Sequence, residues 1–529
     1  MPGPYSNGRT RVPFRWSEEA SPCGPRSNDK EAPPVEFTLS SRVPFAGKIM
    51  ILGCGSVAQC SLPLLLRHVA QPEQIVVMDF VDNRHRIADA LASGVRYVTD
   101  RVERGTLDEV LGRELTAGDI LLDLAWNIDC GDILQWCHDR GVRYLNTSIE
   151  VWDAYTDAEQ QDPRERSLYV RHMDVRRRTA GWTTKGPSAV LEHGANPGLV
   201  SHFTKDALTT IAERALADDL IIAPETAEAL SEAVAARRFN EVAMHLGVKV
   251  IHVAERDTQV TDRPKQVGEF VNTWSVEGLY EEGVAPAELG WGTHERRLPE
   301  GAYLHQAGPS NQLALASMGM DTWVRSWTPL GEIHGMVIRH GEAFTITDHL
   351  TVWDGDRARY RPTVHYAYCP TDSALASIHE LKAGHLVMPP RERQRILNDE
   401  IVSGADAMGV LLMGHAYTSW WTGSVLAIDG ARALVPNQSA TTVQVAASVM
   451  AATVWMIENP DAGVCVPDEL PHERILEIAK PYLGRYVSEP IDWTPLANRA
   501  ETELFGRFNR PTIRHDDPDE AWQFTSFLI

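Results

Sequence analysis

The sequence predicts an α/β protein in which a doubly wound parallel sheet is followed by a second, α+β domain with a mixed sheet. Three observations support this fold class. Strand-like and helix-like segments alternate from residue 48 to about 150, a glycine-rich loop follows the first strand, and from about residue 190 the chain is richer in strand-like residues, tryptophan and histidine.

The first part of the chain predicts the parallel sheet. Strands are expected over 48–52, 74–79, 119–126 and 142–148, and helices over 56–69, 83–92 and 131–140. Parallel strands need crossover connections, which are usually helices, so the alternation indicates one sheet with helices on its faces.

The second part predicts a mixed or antiparallel sheet. Strands are expected over 248–254, 269–276, 335–339 and 343–352, and helices over 206–240, with an interruption at Pro224, and over 441–458. Because side chains alternate between the two faces of a strand, Asn272, Trp274 and Val276 would share one face.

The domain boundaries follow from composition. Residues 1–44 contain eight prolines and no periodicity, which indicates a disordered arm. The two predicted domains occupy residues 45–190 and 191–495. Residues 496–529 form an acidic, proline-containing tail for which we expect poor packing.

Charge and cysteine content narrow the functional class. A net charge of −22 over 529 residues disfavours binding to nucleic acid or to anionic membranes and slightly favours a cationic partner, although solubility is the simpler explanation. The 7 cysteines are irregularly spaced, no histidine or cysteine spacing predicts a metal site, and no uninterrupted apolar segment is long enough to span a membrane. We therefore expect a cytoplasmic protein.

The loop after the first strand opens a helix and matches the dinucleotide-binding pattern G-x-G-x-x-[GA]. The glycines of this pattern permit a tight turn and let backbone N–H groups approach a pyrophosphate. The predicted cofactor-binding residues of the loop are Gly53, Gly55, Ser56 and Val57, with Ala58 at the third position of the pattern.

Asp79 ends the second predicted strand. A carboxylate at this place accepts hydrogen bonds from ribose hydroxyls and repels a 2′-phosphate, so the sequence favours NAD over NADP. Arg84 and Arg86 follow closely and keep NADP as an alternative. Without a ligand, the same segment would be an ordinary turn between a strand and a helix.

Polar residues also follow the later predicted strands. Asp123 and Asn127 come at the end of the third strand, and Thr147 and Glu150 at the end of the fourth. Ligands of doubly wound sheets lie outside the carboxyl ends of the strands, so these side chains are expected to face the cofactor. The alternative for each acid is a helix N-cap or a solvated side chain.

Two further segments are candidates for the site. The turn over 194–198 would bring Ala195, Asn196 and Pro197 against the cofactor, although an ordinary turn before a helix has the same composition. Trp274 lies near several acids, as a site for an organic cation requires, because the ring face attracts an ammonium group and carboxylates pair with it. A core tryptophan beside surface acids is the alternative.

Together these segments resemble the bacterial homospermidine synthases, which are relatives of the saccharopine and carboxynorspermidine dehydrogenases. The resemblance extends from about residue 46 to 496 and is most specific in Ala-Glu-Arg-Asp-Thr at 254–258 and Asn-Thr-Trp-Ser-Val-Glu-Gly at 272–278. It implies a Rossmann-type sheet that elements from late in the chain complete, and a homodimer.

The resemblance also implies a transferase that works by redox chemistry. Bound NAD takes a hydride from the carbon beside one amine of putrescine, ammonia leaves, and a second putrescine forms a Schiff base. Return of the hydride gives sym-homospermidine, so NAD is neither consumed nor released. Spermidine is an alternative aminobutyl donor and would release diaminopropane.

The same resemblance assigns the site. It implies catalytic roles for Glu255, Trp274, His340 and Asn196, and binding of the amine substrate by Glu150, Glu282, Asp406 and Trp274. Trp274 would stabilise the cationic intermediate and Glu282 the distal ammonium. The reacting amine must lose a proton before hydride can leave, and both Glu255 and His340 are candidates for moving it.

Two other functions stay open. A carboxynorspermidine- or saccharopine-type dehydrogenase acts on an imine whose substrate carries a carboxylate, so an Arg or Lys clamp should face the nicotinamide. The combination of Trp274, Glu255 and Glu282 argues against it. The other alternative is an NAD-binding protein without catalytic activity.

Overall fold

A computed structural model of the protein describes residues 42–154, 160, 162–497 and 519–529. Nearly all of the predicted arm, and the part of the tail from 498 to 518, lie outside these residues. The described chain contains one large sheet of seven strands and one of ten.

The first sheet is parallel throughout. Its strands are β1 (Ile49–Leu52), β2 (Ile75–Asp79), β3 (Arg96–Thr99), β4 (Ile120–Asp123), β5 (Arg143–Asn146), β6 (Ala189–Val190) and β22 (Val464–Cys465). In space the order is β22-β6-β5-β4-β1-β2-β3, and every pair is parallel. The order reverses at β1, which confirms the doubly wound sheet and places its crevice between the carboxyl ends of β1 and β4.

Helices connect these strands. They are α1 (Ser56–His68), α2 (Ala88–Ser93), α3 (Leu107–Glu114), α4 (Cys130–Arg140) and α5 (Leu168–Thr179). The four predicted strands are confirmed, whereas the sequence missed the two-residue strands β6 and β22 and also missed β3. That strand lies at the edge of the sheet with exposed or half-buried side chains, so it lacks the apolar run of a buried strand.

The second sheet is mixed, as predicted. Its strands are β7 (Val250–Asp257), β10 (Pro286–Gly290), β11 (Ala302–Leu304), β12 (Gln312–Met318), β13 (Trp323–Thr328), β14 (Gly331–Met336), β17 (Thr363–Cys369), β20 (Ala405–His415), β21 (Thr418–Ala427) and β23 (Arg485–Ile491). The spatial order is β11-β12-β10-β17-β7-β20-β21-β23, and the β13–β14 hairpin pairs with β17. The central strands β7 and β17 are parallel, whereas β20 is antiparallel to β7.

The remaining elements surround this sheet. Short strand pairs are formed by β8 (Val260–Thr261) with β19 (Ile401–Ser403), β9 (Phe270–Asn272) with β18 (Gln394–Ile396), and β15 (Val352–Asp354) with β16 (Arg357–Tyr360). The helices are α6 (Leu199–Ala217), α7 (Pro224–Ala235), α8 (Phe239–Leu246), α9 (Val276–Val284), α10 (Gly341–His349), α11 (Asp372–Ala383), α12 (Ile428–Leu434), α13 (Ala440–Glu458), α14 (His472–Ala479) and α15 (Phe524–Phe527).

Helix α13 links the late part of the chain to the first sheet. It is 19 residues long, its most apolar window has a mean hydropathy of 1.5, and 89% of that window is buried inside the protein. It packs against α1, which follows the glycine loop. By its packing, α13 is a core helix.

Two predicted strands are wrong, and a third, predicted over 335–339, belongs to β14 only at residues 335 and 336. The segment predicted as a strand over 343–352 forms α10, where packing overrides the strand preference of its Thr and Ile residues. The strand predicted over 269–276 ends at Asn272, because the Ser275 hydroxyl accepts a hydrogen bond from the Gly278 N–H and caps α9. Trp274 therefore lies in the turn before α9 and does not share a strand face with Asn272.

The end of the chain is also better packed than expected. Phe524 and Phe527 are buried, and their rings lie edge-on to His365 and His252 of the second sheet. The predicted poor packing of the tail is therefore wrong for residues 519–529, where aromatic burial outweighs the acidic composition.

Candidate active site

A cleft of about 950 Å³ opens where β1, β2, β4 and β5 end, and its walls include residues of both large sheets. Most of the predicted site residues line it. They are Gly53, Gly55, Ser56, Val57, Asp79, Asn127, Thr147, Glu150, Ala195, Asn196, Pro197, Glu255, Trp274, Glu282 and His340. Asp123 and Asp406 do not lie on its wall.

The glycine loop forms one end of the cleft. Gly53 has a φ of +92°, and a Cβ there would lie 2.8 Å from the carbonyl oxygen of Leu124, so a larger residue does not fit. Beside Gly55, at the N-terminus of α1, a Cβ would meet no atom within 4 Å. This open space above free backbone N–H groups fits the pyrophosphate of a dinucleotide.

Asp79 connects the loop to the end of β2. Its carboxylate accepts hydrogen bonds from the backbone N–H groups of Cys54, over 2.7 Å, and Val81, over 2.9 Å. Arg84 and Arg86 are not among the described residues that line the cleft. Arg84 instead forms a 2.6 Å ion pair with Asp82. The end of β2 therefore presents a carboxylate, which favours a ribose with free hydroxyls.

Two arginines that the sequence did not single out line this end of the cleft. The Arg101 guanidinium lies 4.9 Å from the centre of the Phe80 ring, and that of Arg104 lies 6.0 Å from the Trp152 ring. Each guanidinium group therefore lies over the face of an aromatic ring, in a cation–π contact.

Asp123 was expected to face the cofactor, and this expectation is wrong. The side chain is buried behind the wall of the cleft, where it accepts a 2.8 Å hydrogen bond from the Tyr144 hydroxyl. Burial raises the pKa of Asp123 to about 7. Asn127 does line the cleft, with a φ of +64°, and its side chain accepts a 2.7 Å hydrogen bond from the Asp153 N–H.

Glu255 is the buried carboxylate at the centre of the site. One oxygen of its carboxylate accepts two hydrogen bonds. The Asn196 amide donates one, over 2.7 Å, and the Tyr366 hydroxyl donates the other. Burial raises the pKa of Glu255 to about 7 despite these hydrogen bonds, and the neighbouring Asp257 adds to the rise. A group with this pKa can exchange a proton near neutral pH.

Asp406 lies behind this centre. On β20 it stands opposite Asp257 of β7, and its carboxylate accepts a 2.6 Å hydrogen bond from the Thr441 hydroxyl, which lines the cleft. Burial, Glu255 and Asp257 raise the pKa of Asp406 well above its ordinary value. Asp406 does not itself line the cleft, and its second carboxylate oxygen is buried without a hydrogen-bond partner among the described residues, so direct binding of the amine by Asp406 stays a prediction.

Trp274 is held from two sides. Its indole N–H donates a 3.0 Å hydrogen bond to the Tyr368 hydroxyl. A Cβ at position 278 would lie 2.5 Å from the indole, so Gly278 lets the ring lie against α9. The Tyr368 ring is stacked on that of Tyr366, with centroids 5.0 Å apart, which links the indole to the partner of Glu255.

His340 and Glu282 form a charged pair on the same wall. The imidazole Nε2 lies 3.2 Å from Glu282, and Nδ1 lies 3.2 Å from Glu342. Although burial lowers the pKa of His340, Glu342 and Glu282 together raise it well above its ordinary value. The other oxygen of Glu282 is buried and finds no hydrogen-bond partner among the described residues, so it can accept a hydrogen bond from a ligand.

Glu150 adds a further carboxylate to the wall. It accepts a 2.9 Å hydrogen bond from the Ser148 hydroxyl. Burial and the nearby Glu281 raise the pKa of Glu150 to about 6, although Arg171 opposes the rise. A cationic ligand would favour the ionised form of this group.

Several residues of the wall were missed by the sequence analysis. Glu281 forms ion pairs with Arg171 and Arg339, and all three side chains are at most 8% exposed. No motif could have found this cluster, because its members come from three distant segments. Tyr366 and Tyr368 belong to a segment whose Y-x-Y spacing places them on one face of β17, and this spacing was the available signal.

Comparisons with known proteins identify the family of the chain. The saccharopine dehydrogenase NADP binding domain matches residues 49–190, and the saccharopine dehydrogenase C-terminal domain matches residues 194–491. The homospermidine synthase of Blastochloris viridis is 40% identical over 498 residues, which cover 91% of this chain and 97% of the relative. That of Mesorhizobium japonicum is 36% identical over 490 residues, which cover 91% of this chain and 96% of the relative.

A solved structure gives the same result. The homospermidine synthase of Legionella pneumophila, determined in complex with NAD, superimposes with a TM-score of 0.80 at 38% identity and covers 92% of this chain and 99% of its own. Relatives of this identity span nearly the whole chain, and the fold agrees with that of the solved relative. The protein therefore belongs to the homospermidine synthase family.

Proposed function

We propose that this protein is a homospermidine synthase. It converts two putrescine molecules to sym-homospermidine and ammonia, or spermidine and putrescine to sym-homospermidine and diaminopropane. The observation that carries the proposal is the juxtaposition, in one cleft, of a dinucleotide-binding loop, the indole of Trp274 and the carboxylates of Glu150, Glu255 and Glu282.

The glycine loop and Asp79 would hold NAD. The backbone N–H groups at the start of α1 suit the pyrophosphate, and the Asp79 carboxylate suits the ribose hydroxyls. When bound, NAD supplies a hydride acceptor for the amine-bearing carbon and a hydride donor for the imine formed later.

The carboxylates of the cleft bind the diamine. Putrescine carries two ammonium groups, and the buried, unpartnered oxygen of Glu282 can accept a hydrogen bond from the distal one. Glu150 provides a second carboxylate whose pKa of about 6 leaves it ionised at neutral pH. An unpaired carboxylate in a buried cleft is costly, so an ammonium group is a favourable partner.

Glu255 is the group that takes the proton from the reacting amine. With a pKa of about 7 it is partly ionised at neutral pH and can accept a proton, after which the neutral amine is able to lose hydride. The hydrogen bonds from Asn196 and Tyr366 hold the carboxylate in place. His340 stays protonated between two carboxylates and acts by positioning Glu282.

Trp274 stabilises the iminium that hydride loss creates. A ring face attracts a cation most strongly where water is excluded. The contacts with Tyr368 and Gly278 hold the indole in one orientation on the wall of the cleft. The indole therefore needs no reorganisation when the charge develops.

The proposal also includes the roles of the two domains, the oligomeric state and the cellular location of the enzyme. We assign NAD binding to residues 45–190, completed by α13 and β22, and substrate binding and dimerisation to residues 191–495. A homodimer agrees with the family, and light scattering would measure it. A cytoplasmic location agrees with the free state of the described cysteines, which are Cys54, Cys60, Cys130, Cys137, Cys369 and Cys465.

Incubation with putrescine and substoichiometric NAD tests the proposal. We expect homospermidine and ammonia in equal amounts, in excess over NAD and without net formation of NADH. Net NADH would instead indicate a dehydrogenase of the saccharopine type. Retention of NAD without turnover would indicate a binding protein.

A further inference from the structure

The amine cleft contains two guanidinium groups that the proposed reaction does not use. Arg171 of α5 and Arg339, which precedes α10, both line the cleft. Each forms an ion pair with Glu281, through the same carboxylate oxygen, and the Arg171 pair measures 2.9 Å. The other oxygen of Glu281 accepts a 3.2 Å hydrogen bond from the Trp126 indole.

This ion-pair cluster, formed by Arg171, Glu281 and Arg339, adjoins the proposed site for the distal ammonium. Glu281 and Glu282 are consecutive in α9, and Arg339 and His340 are consecutive before α10. Glu282 pairs with His340, just as Glu281 pairs with Arg339. Glu282 thus presents an acceptor for an ammonium group, and Arg339, together with Arg171, presents guanidinium groups beside it.

Two guanidinium groups next to an ammonium site suit the head group of an α-amino acid. An α-amino acid carries a carboxylate on the same carbon as its ammonium group, and arginine binds carboxylates through paired N–H donors. Ornithine is putrescine with a carboxylate on one amine-bearing carbon. It would place this carboxylate beside the ammonium held by Glu282.

We propose that Glu281 is a specificity-determining residue that excludes carboxylated diamines from the cleft. Its carboxylate occupies the place between Arg171 and Arg339 that a substrate carboxylate would need. Diamines without a carboxylate do not compete for this place and bind normally. The inference deepens the proposed function and rests on it, because it assigns the distal ammonium of the diamine to Glu282.

The charges around the cluster support this role. Burial would raise the pKa of Glu281, but Arg339 and Arg171 outweigh it and hold the value at about 2, so the group stays ionised at every working pH. Glu150 interacts with the same two arginines, and together the four groups are neutral. A substrate carboxylate would add an uncompensated negative charge to a buried, balanced site.

The test compares the affinities of ornithine and putrescine for the NAD-loaded protein by isothermal titration calorimetry. Glu281→Gln keeps the size of the side chain and removes its charge. We expect ornithine to bind at least about tenfold more tightly to this variant than to the wild type, whereas putrescine affinity changes by less than about threefold. Glu228→Gln is the matched control. It removes an exposed carboxylate of α7 that lies outside the cleft and for which the described residues show no ion pair, and it leaves the ratio of the two affinities unchanged.

A second variant keeps the proposal testable if Glu281→Gln does not fold, because that substitution leaves two buried cations without their partner. Arg171→Gln combined with Glu281→Gln removes one charge of each sign and frees the Arg339 guanidinium from Glu281. We expect ornithine affinity to rise by about threefold or more in this double variant. Unchanged ornithine affinity in a folded, NAD-binding variant of either kind overturns the proposal.

The result is separable from the proposed function. If the wild type binds putrescine and NAD but forms no homospermidine, the proposed reaction is wrong, while the affinity ratio still reports on Glu281. If homospermidine forms and the ratio does not respond to Glu281→Gln, the reaction stands and the role of Glu281 is wrong.

Discussion

The indole N–H of Trp274 donates a hydrogen bond to the Tyr368 hydroxyl over 3.0 Å. This contact joins the turn before α9 to strand β17 of the second sheet. Tyr368 is stacked on Tyr366, whose hydroxyl binds Glu255. The cation-binding ring and the proton acceptor are therefore held by adjacent side chains of the same strand.

Replacement of Tyr368 by phenylalanine tests this link. The variant keeps the stacked ring but removes the acceptor for the indole, which costs about 1 kcal/mol of hydrogen-bond energy. We expect kcat to fall by roughly threefold to tenfold with an unchanged KM for putrescine and unchanged NAD affinity. Steady-state kinetics with calorimetry of NAD binding provide the measurement. An equal rise in KM would show that Tyr368 acts on binding rather than on the orientation of the indole.

The second prediction concerns Trp274 itself. Trp274→Ala removes a buried cation–π contact worth about 2 kcal/mol or more, together with the shape of the wall, so turnover should fall by roughly two orders of magnitude. NAD binding should persist. Trp353→Ala is a matched control, since that side chain is 45% exposed and lies outside the cleft. Near-normal turnover in Trp274→Ala would remove the cation–π argument.

The third prediction concerns the cofactor. Asp79→Ala removes the carboxylate that suits the ribose and that accepts the N–H groups of Cys54 and Val81. We expect NAD affinity to fall by roughly tenfold or more and discrimination against NADP to weaken, with the fold retained by circular dichroism. Asp82→Ala, at an exposed neighbour that pairs with Arg84, should leave NAD affinity unchanged. Equal effects of the two substitutions would mean that Asp79 does not contact the cofactor.

The fourth prediction is a pH dependence. Glu255 must be ionised to accept a proton, and its pKa is raised to about 7 by burial. The value of kcat/KM for putrescine should therefore rise with pH through about 7 and level off above it. A bound dication favours the carboxylate, so the corresponding rise in kcat should occur at lower pH. A profile that is flat between about pH 6 and pH 8 would contradict the role of Glu255.

The first domain could be predicted well from the sequence because its signals are local. An apolar strand, a glycine loop and an acid at the next strand end lie within one short segment, and the structure places Gly53 and Asp79 in contact with the same cleft. Strand β3 could not be predicted, because an exposed edge strand carries no apolar run. The sequence predicts a strand where α10 forms, because a buried segment shows no periodicity that separates a strand from a helix.

The second half of the site could be predicted only through family resemblance. Glu255, Glu282 and His340 come from a strand, a helix and a helix N-cap that the sequence does not bring together. The same limit explains the errors. Asp123 and Asp406 are expected to line the cleft, but neither does, and each accepts a hydrogen bond from a buried hydroxyl, that of Tyr144 or of Thr441 respectively.

Transfer of deuterium from putrescine labelled with two deuterium atoms at C1 tests the central claim most directly. If the hydride is taken and returned within one cleft, homospermidine should keep all the deuterium of the labelled carbon, as measured by mass spectrometry, even when unlabelled NADH is added to the solution. Loss of deuterium to the free NADH pool would contradict the account, because it would show that the reduced cofactor leaves the enzyme between the two steps.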